Sequence, residues 1–282
     1  MREMKVKSKD GFSMVELIFV IVVLGVVSTY YADIITQVYK SYILQKANHN
    51  ANLKTALAAD QIANRLRYAI PGTVYRRIGK NGTVVESLDA PMSGNPDDYD
   101  VLEWVAYDGD SFEAFESNSS KKPGWSGFCD VEASTPTQLK TPGSNLALAQ
   151  EVIAKLGGDI TNAHIYFPGD IDPATGHLIS HKIKSVAGDT ITMDGNLTLV
   201  SEHYKLARTS YALVVENGDL YLYYKFTPTP GARVRGPKAL LMQNIATFKF
   251  KGDGDTIRFK ICKSENIGED FNVTSCKEKA VF

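Results

Sequence analysis

The spacing of apolar residues changes twice along the chain. From Phe12 to Ala32 (FSMVELIFVIVVLGVVSTYYA) nearly every position is apolar, so no single face is marked. As a helix this run rises about 31 Å, the depth of one bilayer core, and it reads as a transmembrane segment over 12–32. From Asp33 to Ile70 the apolar or aromatic positions thin to Ile34, Val38, Tyr42, Leu53, Leu57, Ile62, Leu66 and Ile70, mostly four apart. That interval marks one face of a helix. Asn48, His49, Asn50 and Asn52 predict fraying or bending midway, and Pro71-Gly72 predicts the stop. The reading is a near-continuous helix from Phe12 to Ile70, about 88 Å long, its first half in lipid or a filament core and its second half, 33–70, packed on a sheet.

After Pro71 the period shifts toward two. Thr73–Ile78 and Thr83–Leu88 flank Gly79-Lys80-Asn81-Gly82, and Val101–Tyr107 and Ser111–Phe115 flank Asp108-Gly109-Asp110; both read as hairpins. Residues 117–144, rich in Ser, Lys, Pro, Gly and Thr, read as a long surface excursion. Ser144 followed by LALAQEVIAKL predicts a short capped helix ending at Gly157-Gly158. Strands are expected at Ala163–Phe167, Lys182–Val186 and Thr190–Met193. Two more hairpins are expected, Tyr211–Glu216 with Leu220–Phe226 and Ala246–Lys251 with Thr256–Ile261. The fold class is α+β, a long N-terminal helix on an antiparallel β-rich head spanning 71–282.

Composition narrows the function. With 282 residues, 44% of them hydrophobic and a net charge of −1, the chain can bury a core and is neither disordered nor a general nucleic-acid binder. Residues 1–11 (MREMKVKSKDG) are net positive, which places the N-terminus in the cytoplasm and the rest across the membrane. No A-x-A-like cleavage site follows the apolar run, so the helix is retained. Glu16 is the anomaly: a carboxylate at a bilayer centre costs about 2.5–3.5 kcal/mol, less near the interface, and calls for a partner.

Gly11, then Phe12, then Glu16 four residues on resembles the type IV prepilin class, and Lys9, Ser13 and Leu17 extend the match. Asp10 departs from the basic residue often found before that glycine. The resemblance implies a leader over 1–11, cleavage between Gly11 and Phe12 by a prepilin peptidase, N-methylation of Phe12, and a role for Glu16 in assembly. Gly124-Trp125, the Tyr211–Phe226 hairpin and the run Leu240–Phe250 are similar to the J-type minor pseudopilins of type II secretion. The implied protein is a structural subunit of a pseudopilus, near its tip, with sibling pseudopilins as partners. It would be anchored by one pass in a bacterial inner membrane, with its head in the periplasm. The rivals are a minor pilin of a type IV pilus or DNA-uptake system and, from another class, a membrane-tethered periplasmic enzyme or binding domain.

An exported head favours a disulfide between Cys262 and Cys276, worth about 3 kcal/mol for a loop of this size, over a pair of buried free thiols. C-terminal disulfide loops in pilins point the same way, and Cys129 is left as a buried or semi-buried free thiol. His177 and His181 are four apart, but Gly176 and the surrounding alternation suggest loop or strand, and no Cys or acidic residue completes a zinc set. Asp170 with Asp172, and Asp253 with Asp255, are weak calcium candidates without an EF-hand continuation; turn-forming Asp is the alternative. No resident cofactor is expected. There is no G-x-S-x-G, P-loop, H-E-x-x-H or Rossmann fingerprint, so nothing argues for an enzyme.

Overall fold

The computed structural model describes residues 11, 13–115, 121–254, 256–267 and 271–282. Helix α1 (Met14–Leu66) is a single unbroken element, and the asparagine-rich middle neither frays nor breaks it. It ends four residues before the expected Ile70. Proline disfavours helical backbone in the residue before it, and Ala69–Arg77 instead forms strand β1. Pro71-Gly72 becomes a bulge inside β1, where pairing slips between Ala69 and Val74 and Gly72 takes φ +79°.

The buried face of α1 matches the predicted stripe only at Ile62 and Leu66. Leu53 and Leu57 are 50% and 53% exposed, whereas Ala51, Thr55, Ala58, Ala59, Ile62, Ala63 and Leu66 are buried. The spacing is helical in both cases, but the packing face is built of small residues, which let the helix lie close to the strands beneath it. Up to Tyr42 every described residue of α1 is exposed.

The head contains fourteen strands among the described residues, all paired antiparallel. Strands β2 (Val85–Ser87), β1, β3 (Val101–Tyr107) and β9 (Lys205–Glu216) open the main sheet. From β9 it continues through β6 (His164–Tyr166), β7 (His181–Ala187), β8 (Thr190–Met193), β5 (Gln138–Lys140) and β4 (Asp130–Thr135). Strands β10 (Asp219–Phe226) and β11 (Lys238–Met242) branch from β9. A separate sheet of β12 (Ile245–Asp253), β13 (Thr256–Asn266) and β14 (Asn272–Val281) closes the chain. One core joins Ile62 and Leu66 of the stem to Trp104 and Leu213 of the main sheet and Phe259 and Ile261 of the C-terminal sheet.

For the middle of the chain one expectation fails and another holds only in part. Gly109–Glu113 is a short helix, α2, rather than the turn and second strand of a hairpin; Ser111 Oγ bonds the Asp108 carboxylate and Phe112 N–H donates to Asp108 O at 3.2 Å, closing a helical turn. The expected surface excursion holds only in part: 131–133 and 135–138 are exposed, but the stretch is anchored at buried positions. Trp125, Cys129 and Leu139 are buried with Leu146 and Ile153 of α3 (Leu146–Lys155) in a second core. Asn145, not Ser144, caps α3, its side chain accepting the Leu148 N–H at 3.2 Å.

Candidate functional site

The stem is the first candidate. Glu16 lies in the first turn of α1, where the helix N-terminus favours a carboxylate, and it is exposed. It forms no ion pair with the described residues. Gly11 precedes the helix; a Cβ there would meet nothing within 4 Å, and its φ is not left-handed, so packing in the head does not require glycine. Phe12, the expected new N-terminus, lies outside the described residues, as do 1–10. The exposed part of α1 is long and apolar enough to cross a membrane, and its most apolar window buries nothing against the head.

The stem meets the head through polar contacts that the apolar pattern did not reveal. Ser275 Oγ donates to Asn52 Oδ1 at 2.6 Å, Lys279 pairs with Asp60, and the Arg65 guanidinium lies 5.8 Å from the Tyr211 ring centre. Next to Ser275, Cys276 faces Cys262 directly across β13 and β14 and is disulfide-bonded to it. The two Cα atoms are 4.0 Å apart, slightly closer than the 4.4–6.8 Å usual for disulfides. The bond thus clamps the sheet on which the stem rests. Cys129 is a buried free thiol, and burial pushes its pKa up.

The candidate metal residues go elsewhere. Asp170 is buried; its Oδ2 lies 2.7 Å from His181 Nε2 and accepts from Thr198 Oγ1 at 2.8 Å. An acidic partner for His181 therefore exists, contrary to the sequence reading, but His177 turns away to stack edge-on against Tyr75, with ring centres 4.7 Å apart. Asp172 caps its own turn, accepting from Ala174 N–H and Thr175 Oγ1 at 3.0 and 2.8 Å. Asp253 faces Arg258 at 3.8 Å, and Asp255 lies outside the described residues. Among the described residues no three His, Cys, Asp or Glu side chains gather as a metal site.

The buried charges are paired. Arg77 meets Glu103 at 2.9 Å and Arg208 meets Asp108 at 2.9 Å. Burial pushes Glu86 up, but bonds from Ser93, Arg76 and Tyr99 outweigh it and hold the carboxyl at about 2. These groups lock strands together.

The whole, a long apolar N-terminal helix seated on an antiparallel sheet, is pilin-like in general shape. No known protein family, curated protein or solved structure matches the chain.

Proposed function

We propose that the protein is a minor pseudopilin, a membrane-anchored structural subunit of a type II secretion pseudopilus, placed near the tip. The observation that carries this reading is the continuity of α1. One helix runs from an uncovered apolar segment at Met14–Tyr42 into a buried seat that begins at Ala51. An apolar helix surface of that length needs covering by lipid or by other helices, and a rigid connection to the head lets packing among stems position the heads. In this reading a prepilin peptidase cuts after Gly11 in the inner membrane, the N-terminus lies on the cytoplasmic side, and the head stands in the periplasm. The Phe12 amine created by cleavage is the natural partner for Glu16. Within one chain the two are a helical turn apart, and among staggered parallel stems the carboxylate can reach a neighbour's amine instead.

The experiment is cross-linking of the protein to sibling subunits in membranes, with Glu16→Ala compared at equal abundance. Loss of cross-links with the head still folded is expected. Undiminished cross-linking would show that the carboxylate plays no part in docking.

A further inference from the structure

The main sheet forks at β9. One edge of β9 pairs with β3; on the other, Lys205–Ala207 pair with β6, and pairing with β10 starts at Ser210, leaving Arg208 and Thr209 in the gap. Lys225 of β10 holds the fork open. Its backbone is left-handed at φ +58°, its N–H goes to Thr209 Oγ1 at 3.0 Å instead of a ladder carbonyl, and the β9–β10 register slips between Tyr223 and Phe226. A non-glycine residue held in that backbone region is strained, and such strain gathers at binding sites.

The fork opens into a cleft of about 530 Å³ whose charged lining is Lys182, Arg208, Lys225 and Arg235 against the single carboxylate of Asp159. Asp159 is already engaged, accepting from the Thr161 N–H and hydroxyl at 2.8 Å. Arg208 is answered by Asp108 and Asp110 at 2.9 and 2.6 Å, and Lys182 reaches Asp194 only at 3.8 Å. Lys225 and Arg235 have no carboxylate partner among the described residues. The Lys225 ammonium is seated at the carbonyl end of α3, which favours a cation. Gly157, at φ +77°, makes room for it, since a Cβ there would stand 3.2 Å from Lys225 Nζ.

His164 supplies an independent sign. It forms part of the cleft wall, the residue is 7% exposed, and its Nδ1, closed off from solvent, has no hydrogen-bond partner. A buried ring left without a partner is costly, and an anion in the cleft would favour its protonated, cationic form.

We propose that this cleft binds a small oxyanion, a compound bearing phosphate, sulfate or carboxylate groups, with Arg235 and Lys225 meeting its charge and the His164 ring in the wall beside it. The Arg235 guanidinium can take a planar or tetrahedral oxyanion through two N–H donors, and the ammonium serves as a point charge beside it. The volume suits a small molecule rather than a protein segment. Nothing in this inference depends on filament assembly or on processing at Gly11.

The test is calorimetric titration of the full-length chain in detergent with inorganic phosphate, pyrophosphate, sulfate and citrate, alongside proton titration of His164 by NMR. Saturable binding by at least one probe is expected, and comparison of the probes separates phosphoryl from carboxylate recognition. Arg235→Gln and Lys225→Asn should each weaken binding about tenfold while melting stays unchanged, asparagine being tolerated at positive φ. The His164 midpoint should rise in the complex. No saturable binding at millimolar probe, or equal affinity in both variants, would overturn the proposal. Binding that leaves the His164 titration unmoved would place the anion outside this cleft and overturn the proposal.

Discussion

Ser275 Oγ donates to Asn52 Oδ1 at 2.6 Å, one residue past Ala51, the first position of the stem to be fully buried. Two residues 223 apart in sequence thereby mark the point where the exposed stem becomes part of the head. The next residue, Cys276, is covalently tied to the neighbouring strand.

That contact is the first target. Asn52→Ala or Ser275→Ala should each cost about 1 kcal/mol, and the double variant should cost less than the sum of the two. Thermal melting of the four proteins completes the cycle. Additive losses would mean the two side chains do not act together.

The disulfide should contribute more. Replacing both Cys262 and Cys276 by serine is expected to lower stability by about 3 kcal/mol, read from denaturant midpoints. In the same samples the buried Cys129 thiol, its pKa raised by burial, should react with a thiol reagent only on unfolding. Rapid labelling of native protein at Cys129 would contradict the second core.

The alanine face of the stem makes an opposite pair of expectations. Ala59→Leu forces extra volume against the strands and should cost about 1–3 kcal/mol. Leu57→Ala, on the exposed side, should change stability by less than about 0.5 kcal/mol. Melting both variants decides whether the alanine face is the buried one.

Much of the head was legible from local signals. Asn217-Gly218 marks a tight hairpin because both residues take positive φ, 53° and 81°, a conformation that asparagine and glycine adopt most easily. β3 and β8 have the boundaries that their alternation suggested. What escaped depends on distant partners. Alanine carries little weight in a hydrophobic stripe, so the Ala51–Ala63 face stayed hidden behind Leu53 and Leu57. β14 alternates, but its lysines and glutamate mask the period, and its role emerges only from pairing with β13. Trp125 and Cys129 sit among Gly, Ser and Pro, and only the second core shows that they anchor this stretch. The fork at Arg208 and Thr209 has no sequence signature, since it arises from two strands that compete for one edge of β9.

Acid should loosen the head in two stages. Burial first, then Lys182 and His181, depress His164 from 6.5 to about 4. The unfolded chain therefore binds that proton more readily, and this contribution is complete above pH 6.5 and lost as pH falls toward 4. Glu86, held at about 2 against 4.5, adds stability above pH 4.5 that is lost as pH falls toward 2. Denaturant midpoints measured from pH 7.5 to 3 should fall from below about pH 6.5. His164→Gln should remove the upper part of that slope, and an unchanged slope would contradict the assignment.

The most direct test is the N-terminus of the protein recovered from membranes of cells that hold a prepilin peptidase. Intact-mass and peptide mass spectrometry should find a chain that begins at Phe12 and carries one methyl group on its amine, with α1 retained. A chain that keeps Met1, or one cut beyond residue 30, would contradict the filament-subunit reading.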